Sequence, residues 1–197
     1  MTITRRTVLK GLAWGGLAAP ALVGGIPLMA AATPAVARPT LVLVPCGEGG
    51  MAFVHGVRAA MGASSLVVRQ ARGDLSFLHE FEGLLRGRST PRIIGLLDDA
   101  VSTPLIASVR GAGRDMPWLG QHSIGPGAVR HGCQATPETE ECARQLGDAK
   151  AGQRESWATE LGYLIGGLGL PARAGKLSPS PPGSPLLGSF VSFLIQA

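Results

Sequence analysis

The order of apolar and polar segments predicts an α/β domain with a mainly parallel sheet. Short continuous apolar runs alternate along the chain with segments whose apolar residues recur at helical spacing. The first run, residues 41–44, leads through a glycine-rich segment directly into a helical pattern. Such alternation is typical of strand–helix–strand units, in which helices cover both faces of a parallel sheet.

The first half of the chain supports this prediction with three strand–helix pairs. Asp74 is a favourable N-cap for the second helix, which should end near Gly87. Thr103 followed by Pro104 predicts the start of the third helix, because proline is accepted at the first helical position. In order, the predicted strands cover 41–44, 65–69 and 92–97, and the helices cover 51–61, 74–87 and 103–113.

The second half of the chain is less regular. Pro117 and Gly120 interrupt a short fourth strand. The last apolar run follows no crossover helix, so we expect a strand that pairs antiparallel at one side of the sheet. The predicted elements are a strand at 118–122, a loop at 125–132, helices at 137–146 and 154–167, a proline-rich connector at 177–185 and a strand at 189–195. The whole pattern predicts a three-layer sandwich with about five strands, flavodoxin-like or Rossmann-like.

The N-terminal segment carries three export signals. It contains the run Thr4-Arg5-Arg6-Thr7-Val8-Leu9-Lys10, then an apolar stretch over 11–32, then small residues at 35–37. The segment resembles the twin-arginine (Tat) export signal, Ser/Thr-Arg-Arg-x-Phe-Leu-Lys, with Val8 in place of Phe. The resemblance implies passage through the Tat translocation machinery and cleavage after Ala37. A single α/β domain, 38–197, would then be periplasmic or secreted. The alternative is an uncleaved anchor, since about 20 apolar residues can span a bilayer; we expect no permanent membrane anchor.

The charge of the chain depends on this signal. The formal net charge is +5, but Arg5, Arg6 and Lys10 lie in the signal, which has no acidic residue. Cleavage would reduce the 18 basic residues to 15 against 13 acidic ones. The remaining chain shows no basic stripe interleaved with aromatic residues, so we expect no nucleic acid partner.

The strand ends are the predicted location of a small-molecule site. Parallel strands bring their carboxyl ends to one edge, where open α/β sheets bind ligands. The glycine-rich turn could hold an anion at a helix N-terminus or could simply supply unusual backbone angles. It matches no nucleotide-binding pattern. The candidate ligand-binding residues are Cys46, Gly47, Glu48, Gly49, Gly50, Asp98, Asp99, Gln121 and His122.

Cys46 could instead be a nucleophile. A helix N-terminus lowers the pKa of a thiol, His122 could act as the base, and Asp98 or Asp99 could orient the imidazole. The alternative is a buried structural cysteine. These side chains could also hold a metal, but none lies at a recognised ligand spacing, so we assign no metal site.

The other two cysteines predict a disulfide. Cys133 and Cys142 lie close together in a polar segment, and an exported protein would meet an oxidising environment. Their bond would pin the irregular loop before the long helix and leave Cys46 unpaired. The two pairings that include Cys46 stay open.

These observations predict an exported ligand-binding or accessory protein with its site at the strand ends. A cysteine-dependent hydrolase or transferase that uses Cys46 and His122 is the alternative, and a metal-handling protein is the second. The sequence does not decide whether the protein is an enzyme, and it identifies no cofactor.

Overall fold

A computed structural model of the chain shows an α/β domain built on one six-stranded sheet. The structure describes residues 39–47, 50–62, 66–87, 90–125, 129–137, 139–141, 144, 156–170, 177 and 186–196, all within the unit Val36–Ala197. The strands are β1 (Thr40–Pro45), β2 (Leu66–Ala71), β3 (Arg92–Asp98), β4 (Asp115–Ile124), β5 (Val129–Ala135) and β6 (Gly188–Gln196). The helices are α1 (Gly50–Met61), α2 (Leu75–Arg86), α3 (Asp99–Gly111) and α4 (Trp157–Gly166).

The sheet is mixed and mainly antiparallel. Its strand order is β2-β1-β3-β6-β4-β5, and only the pairs of β1 with β2 and with β3 are parallel. The β3–β6, β6–β4 and β4–β5 pairs are antiparallel. The prediction of a mainly parallel sheet is therefore wrong.

The position of β6 explains this error. The strand is antiparallel, as expected, but it lies between β3 and β4 rather than at one side of the sheet. Residues 190–195 are all buried. A continuous apolar run is what a strand covered on both faces requires, so the composition of β6 suits a central position.

The two faces of β1 pack against different helices. Val42 and Val44 of β1 face a core cluster to which α1 and α4 contribute. Leu41 and Leu43 face a second cluster with α2 and α3. Successive side chains of a strand point to opposite faces, so β1 contributes to both cores. The parallel flavodoxin-like or Rossmann-like arrangement is not what this sheet shows.

One predicted helix start is confirmed by the structure and another differs from it. The Asp74 side chain accepts a hydrogen bond from the Phe77 amide at 2.8 Å, so the predicted N-cap of α2 is confirmed. The third helix, α3, begins earlier than predicted, because Asp98 caps it and accepts from the Val101 amide at 3.0 Å. Pro104 consequently lies inside α3 and not at its first position.

Strand β5 begins within the segment 125–132 that was predicted as a loop and continues three residues beyond it. Val129–Ala135 pairs antiparallel with β4, so Ser123 lies opposite Arg130 and Gly120 lies opposite Cys133. The segment VRHGCQA has little apolar character, so its strand structure depends on the partner strand and not on a pattern of its own.

Several predictions lie largely outside the described residues. The proposed signal, 1–37, and most of the connector, 177–185, are among them. Glu140, Glu141 and Arg144 have helical conformation within the predicted helix 137–146, most of which is likewise outside. No helix in the described part of the chain is long and apolar enough to cross a membrane.

Glycines allow α1 and α4 to approach closely. A Cβ atom at Gly56 would collide with the backbone carbonyl of Thr159, and one at Gly162 would collide with the carbonyl of Phe53. Both positions therefore require glycine for steric reasons, and together they set the distance between the two helices that cover one face of the sheet.

Candidate functional site

An open cavity of about 380 Å³ lies at the edge of the sheet where β3 and β4 end. Because β6 is antiparallel to both neighbours, β3 and β4 run in the same direction. The carboxyl end of β4 therefore lies beside the carboxyl end of β3 and the amino ends of β5 and β6. This edge cavity is lined by Asp99, Gln121, His122, Ser123, Arg130, His131, Gly132, Ser189, Phe190 and Val191.

The strand register places four polar side chains on one face of the sheet in the cavity. Ser123 pairs with Arg130 on β5 and with Ser189 on β6, and Gln121 pairs with Val191. Directly opposed residues share a face of the sheet. Val191 also pairs with Leu97, which belongs to the cluster under α2 and α3. The cavity floor is therefore on the side of the sheet that carries α3.

The two adjacent aspartates at the end of β3 have different roles. The carboxylate of Asp98 is occupied as the N-cap of α3. Asp99 is the first residue of that helix, is exposed and lines the edge cavity. Of the two predicted site residues, only Asp99 therefore offers a free carboxylate to a ligand.

The polar side chains of the cavity are not occupied by one another. In the residues that the structure describes, no hydrogen bond or ion pair engages the side chains of Asp99, Gln121, Ser123, Arg130 or Ser189. Elsewhere, Arg69 contacts Glu80 at 2.7 Å and Arg86 contacts Glu82 at 3.1 Å. The donors and acceptors around the cavity are thus available to a bound molecule.

The opposite face of the same strands holds a histidine pair, of which His122 is buried and His131 is half-buried. The Nδ1 atoms of His122 and His131 are 2.7 Å apart. Both rings lie against the indole of Trp157 on α4, with centroid distances of 5.7 and 6.0 Å. His122 is 2% exposed and its Nε2 lies 2.7 Å from Ser192 Oγ. His122 thus lines the cavity from its strand position while its ring belongs to the core.

The hydrogen-bond partners of this pair assign the ring protons. Trp118 Nε1 can only donate, and it donates to Ser192 Oγ at 2.8 Å. If the Ser192 hydroxyl donates in turn to His122 Nε2, then the indole N–H, the hydroxyl and both nitrogens of His122 each have a hydrogen-bond partner. His122 then donates from Nδ1 to Nδ1 of His131, so the proton of His131 is on Nε2.

Burial disfavours the charged form of both rings. Desolvation, and then the proximity of His131, lower the pKa of His122 from 6.5 to about 3. Desolvation also lowers the pKa of His131. A ring that resists protonation, with both nitrogens engaged, is a poor general base for a ligand in the cavity. The contacts of the His122 ring instead join β4 to β5 and to β6.

Cys46 lies away from this site. Its thiol is exposed, donates to the carbonyl of Ala71 at 3.5 Å, and lines a different cavity of about 470 Å³ with Arg69 and Arg72. Two strands, β3 and β6, separate β1 from β4, which places their ends about 14 Å apart at the usual strand spacing. The predicted pair of Cys46 with His122 is therefore not formed, because the antiparallel β6 is inserted between them.

The glycine-rich turn after β1 has structural reasons for its composition. Gly47 has a φ of 101°, which favours glycine, and a Cβ atom at Gly50 would lie 2.6 Å from the Cβ of Val44. Glu48 and Gly49 are outside the described residues. Neither Gly47 nor Gly50 lines the edge cavity.

The described residues place neither a metal cluster nor a disulfide. They contain no group of three or more His, Cys, Asp or Glu side chains arranged to hold a metal ion. Cys133 is a free thiol that packs against the core under α4, and burial raises its pKa to about 11. The predicted bond to Cys142 is thus not formed in the structure, and Cys142 itself lies outside the described residues.

Sequence reasoning found part of the edge cavity and missed the rest. Asp99, Gln121 and His122 were predicted to share this edge, and they do line one cavity. Arg130, Ser189 and Ser123 were missed, because β5 was predicted as a loop and β6 was placed at one side. The polar alternation of Gln121 and Ser123 with buried neighbours was the available signal.

Comparisons with protein-family models, with curated proteins and with solved structures found no match to this chain. Its function is therefore inferred from the chemistry of the site.

Proposed function

We propose that the protein binds a small polar molecule in the edge cavity. One observation carries the proposal: five polar side chains from four elements surround a cavity of about 380 Å³, and none is engaged elsewhere in the described part of the chain. Ligand sites commonly have volumes of about 300–1,000 Å³ and contain a few convergent polar groups. The apolar contribution on the floor comes from Val191.

Catalysis by Cys46 receives no support from the same geometry. Nucleophilic catalysis requires a base within hydrogen-bond reach of the nucleophile, and His122 is about three strand spacings away. We therefore infer a binding or accessory role rather than a cysteine-dependent hydrolase or transferase.

A cavity-filling substitution tests the proposal. A Cβ atom at Gly132 has no neighbour within 4 Å, so Gly132→Leu should fold while its side chain occupies cavity space. Gly83→Leu on α2 is the matched control, since its Cβ is equally free and it does not line the cavity. Ligand-observed NMR would screen amino acids, short peptides, dicarboxylates and monosaccharides.

We expect at least one of these classes to bind the unaltered protein and Gly83→Leu, and to lose binding in Gly132→Leu. Binding that survives in Gly132→Leu would place the ligand elsewhere. Failure of all classes to bind would refute the proposal.

We also propose that the domain is exported through the Tat pathway to the periplasm. The support is the sequence around Arg5 and Arg6 together with the apolar stretch and the small residues that end at Ala37. Arg5→Lys/Arg6→Lys should retain the protein in the cytoplasm, whereas Arg58→Lys, an exposed change on α1, should not. Mass spectrometry of exported protein should find an N-terminus at Arg38. Export of the double variant, or a retained signal, would contradict this proposal.

A further inference from the structure

Two exposed charges of opposite sign lie on either side of the edge cavity. Asp99 is at the start of α3, beside the end of β3, and Arg130 is on β5. Neither forms an ion pair with the other or with any residue that the structure describes. A molecule that carries one positive and one negative group would pair with both.

The distance between these charges indicates the size of that molecule. Three strand spacings, about 14 Å, separate β3 from β5, and both charged residues line the cavity at the ends of these strands. An extended peptide residue spans about 3.4 Å. A peptide of two or three residues therefore matches the separation of the two charged residues better than a single amino acid does. The volume of about 380 Å³ admits a molecule of this length.

The groups between the two charges suit a peptide backbone. Gln121, Ser123 and Ser189 lie on the cavity floor and present amide and hydroxyl groups that both donate and accept. Opposite Gln121, Gly132 contributes no side chain and leaves space above the floor. A peptide group offers one donor and one acceptor, which this floor can satisfy.

We propose that the ligand of the edge cavity is a short zwitterionic peptide, with its carboxylate at Arg130 and its ammonium group at Asp99. The guanidinium group can form paired hydrogen bonds with a carboxylate. Asp99 accepts from the ammonium group, since the neighbouring carboxylate of Asp98 is already occupied by the helix cap. This inference rests on the proposed function and specifies its ligand class.

A peptide length series tests the inference on the purified full chain. Calorimetry would compare glycine, glycylglycine and triglycine, and then the N-acetylated, C-amidated and doubly blocked forms of the tightest binder. We expect a dipeptide or tripeptide to bind more tightly than glycine. Each single block should weaken binding about tenfold or more, because charge-assisted hydrogen bonds are the stronger ones.

Two substitutions assign each charge to its partner. Arg130→Gln should abolish the preference for a free carboxylate over an amide and keep the preference for a free ammonium group. Asp99→Asn should abolish the preference for a free ammonium group and keep the preference for a free carboxylate. A structural defect would weaken both preferences together, so this result would exclude it. Arg110→Gln and Asp115→Asn are the matched controls, since both residues are exposed and neither lines the cavity.

The outcomes separate the inference from the proposed function. If doubly blocked peptides or neutral sugars bind as tightly as the zwitterion, and Gly132→Leu abolishes that binding, the cavity is a ligand site but the inference is overturned. If no peptide binds while another class does, the inference is likewise overturned. If nothing binds, both the inference and the proposed function fail.

Discussion

The buried His122, paired with the half-buried His131, predicts that the domain loses stability in mildly acidic solution. His122 has a pKa of about 3 in the folded protein against 6.5 as its ordinary value. The unfolded chain therefore binds a proton that the folded chain refuses. Stability is fully present above pH 6.5 and falls as the pH drops from there towards 3.

The size of the effect follows from this pKa difference. At pH 5 the folded ring is still neutral, whereas nearly all unfolded molecules carry the proton. Each pH unit below 6.5 therefore removes about 1.4 kcal/mol, so His122 alone lowers the free energy of unfolding by about 2 kcal/mol between pH 8 and pH 5. His131 adds a loss of the same sign, because its pKa is also lowered.

No group that contacts the two histidines in the described residues gives a reason to expect a gain in stability that would offset this loss. In the described residues, the two rings contact Trp157 of α4 and Ser192 of β6, Phe190 of β6 pairs with His122, and Cys133 lies two residues along β5 from His131. The Cys133 thiol stays neutral in this range because its pKa is raised to about 11.

Urea unfolding followed by circular dichroism at pH 8, 6.5 and 5 measures the effect. In His122→Gln the drop between pH 8 and pH 5 should shrink by about 2 kcal/mol, although the variant is less stable throughout. His79→Gln is the control, since His79 is an exposed residue of α2. An equal drop in His122→Gln and the unaltered protein would refute the reasoning.

Four further predictions concern contacts that depend on small residues or on thiol exposure. Gly120→Ala places a Cβ 2.7 Å from Ser192 Oγ and 3.0 Å from His122 Nε2, so chemical denaturation should show a loss of about 1–3 kcal/mol. Gly132→Ala on the adjacent strand has open space and should change stability by less than about 1 kcal/mol. Gly162→Ala should cost more than Gly132→Ala by the same measurement, because its Cβ meets the backbone of α1; equal effects would contradict the close approach of the two helices. Iodoacetamide at pH 7.5, followed by peptide mapping, should label exposed Cys46 faster than Cys133, and the reverse order would contradict their placement.

Local signals in the sequence were sufficient for the first half of the domain. The buried run 41–44, the cap at Asp74 and the end of α2 at Gly87 all stand where their residue types predicted, because each depends on neighbours within a few positions. The cap of α3 shows the limit of such reasoning. Asp98 and Thr103 are both good capping residues, and in the structure it is the Asp98 carboxylate that caps the helix.

The edge cavity depends on contacts that no local pattern specifies. Asp99 and Gln121 could be placed at one edge from strand ends alone, whereas Arg130 and Ser189 reach the cavity only because β6 enters the middle of the sheet and β5 pairs with β4. The order of the strands depends on how apolar segments far apart in the sequence pack into the two cores. An apolar run therefore predicts a buried strand but not which strands pair with it. For the same reason the contact between His122 and His131 could not be predicted from the sequence. It forms only because β4 and β5 are paired, which places the two residues opposite each other under α4.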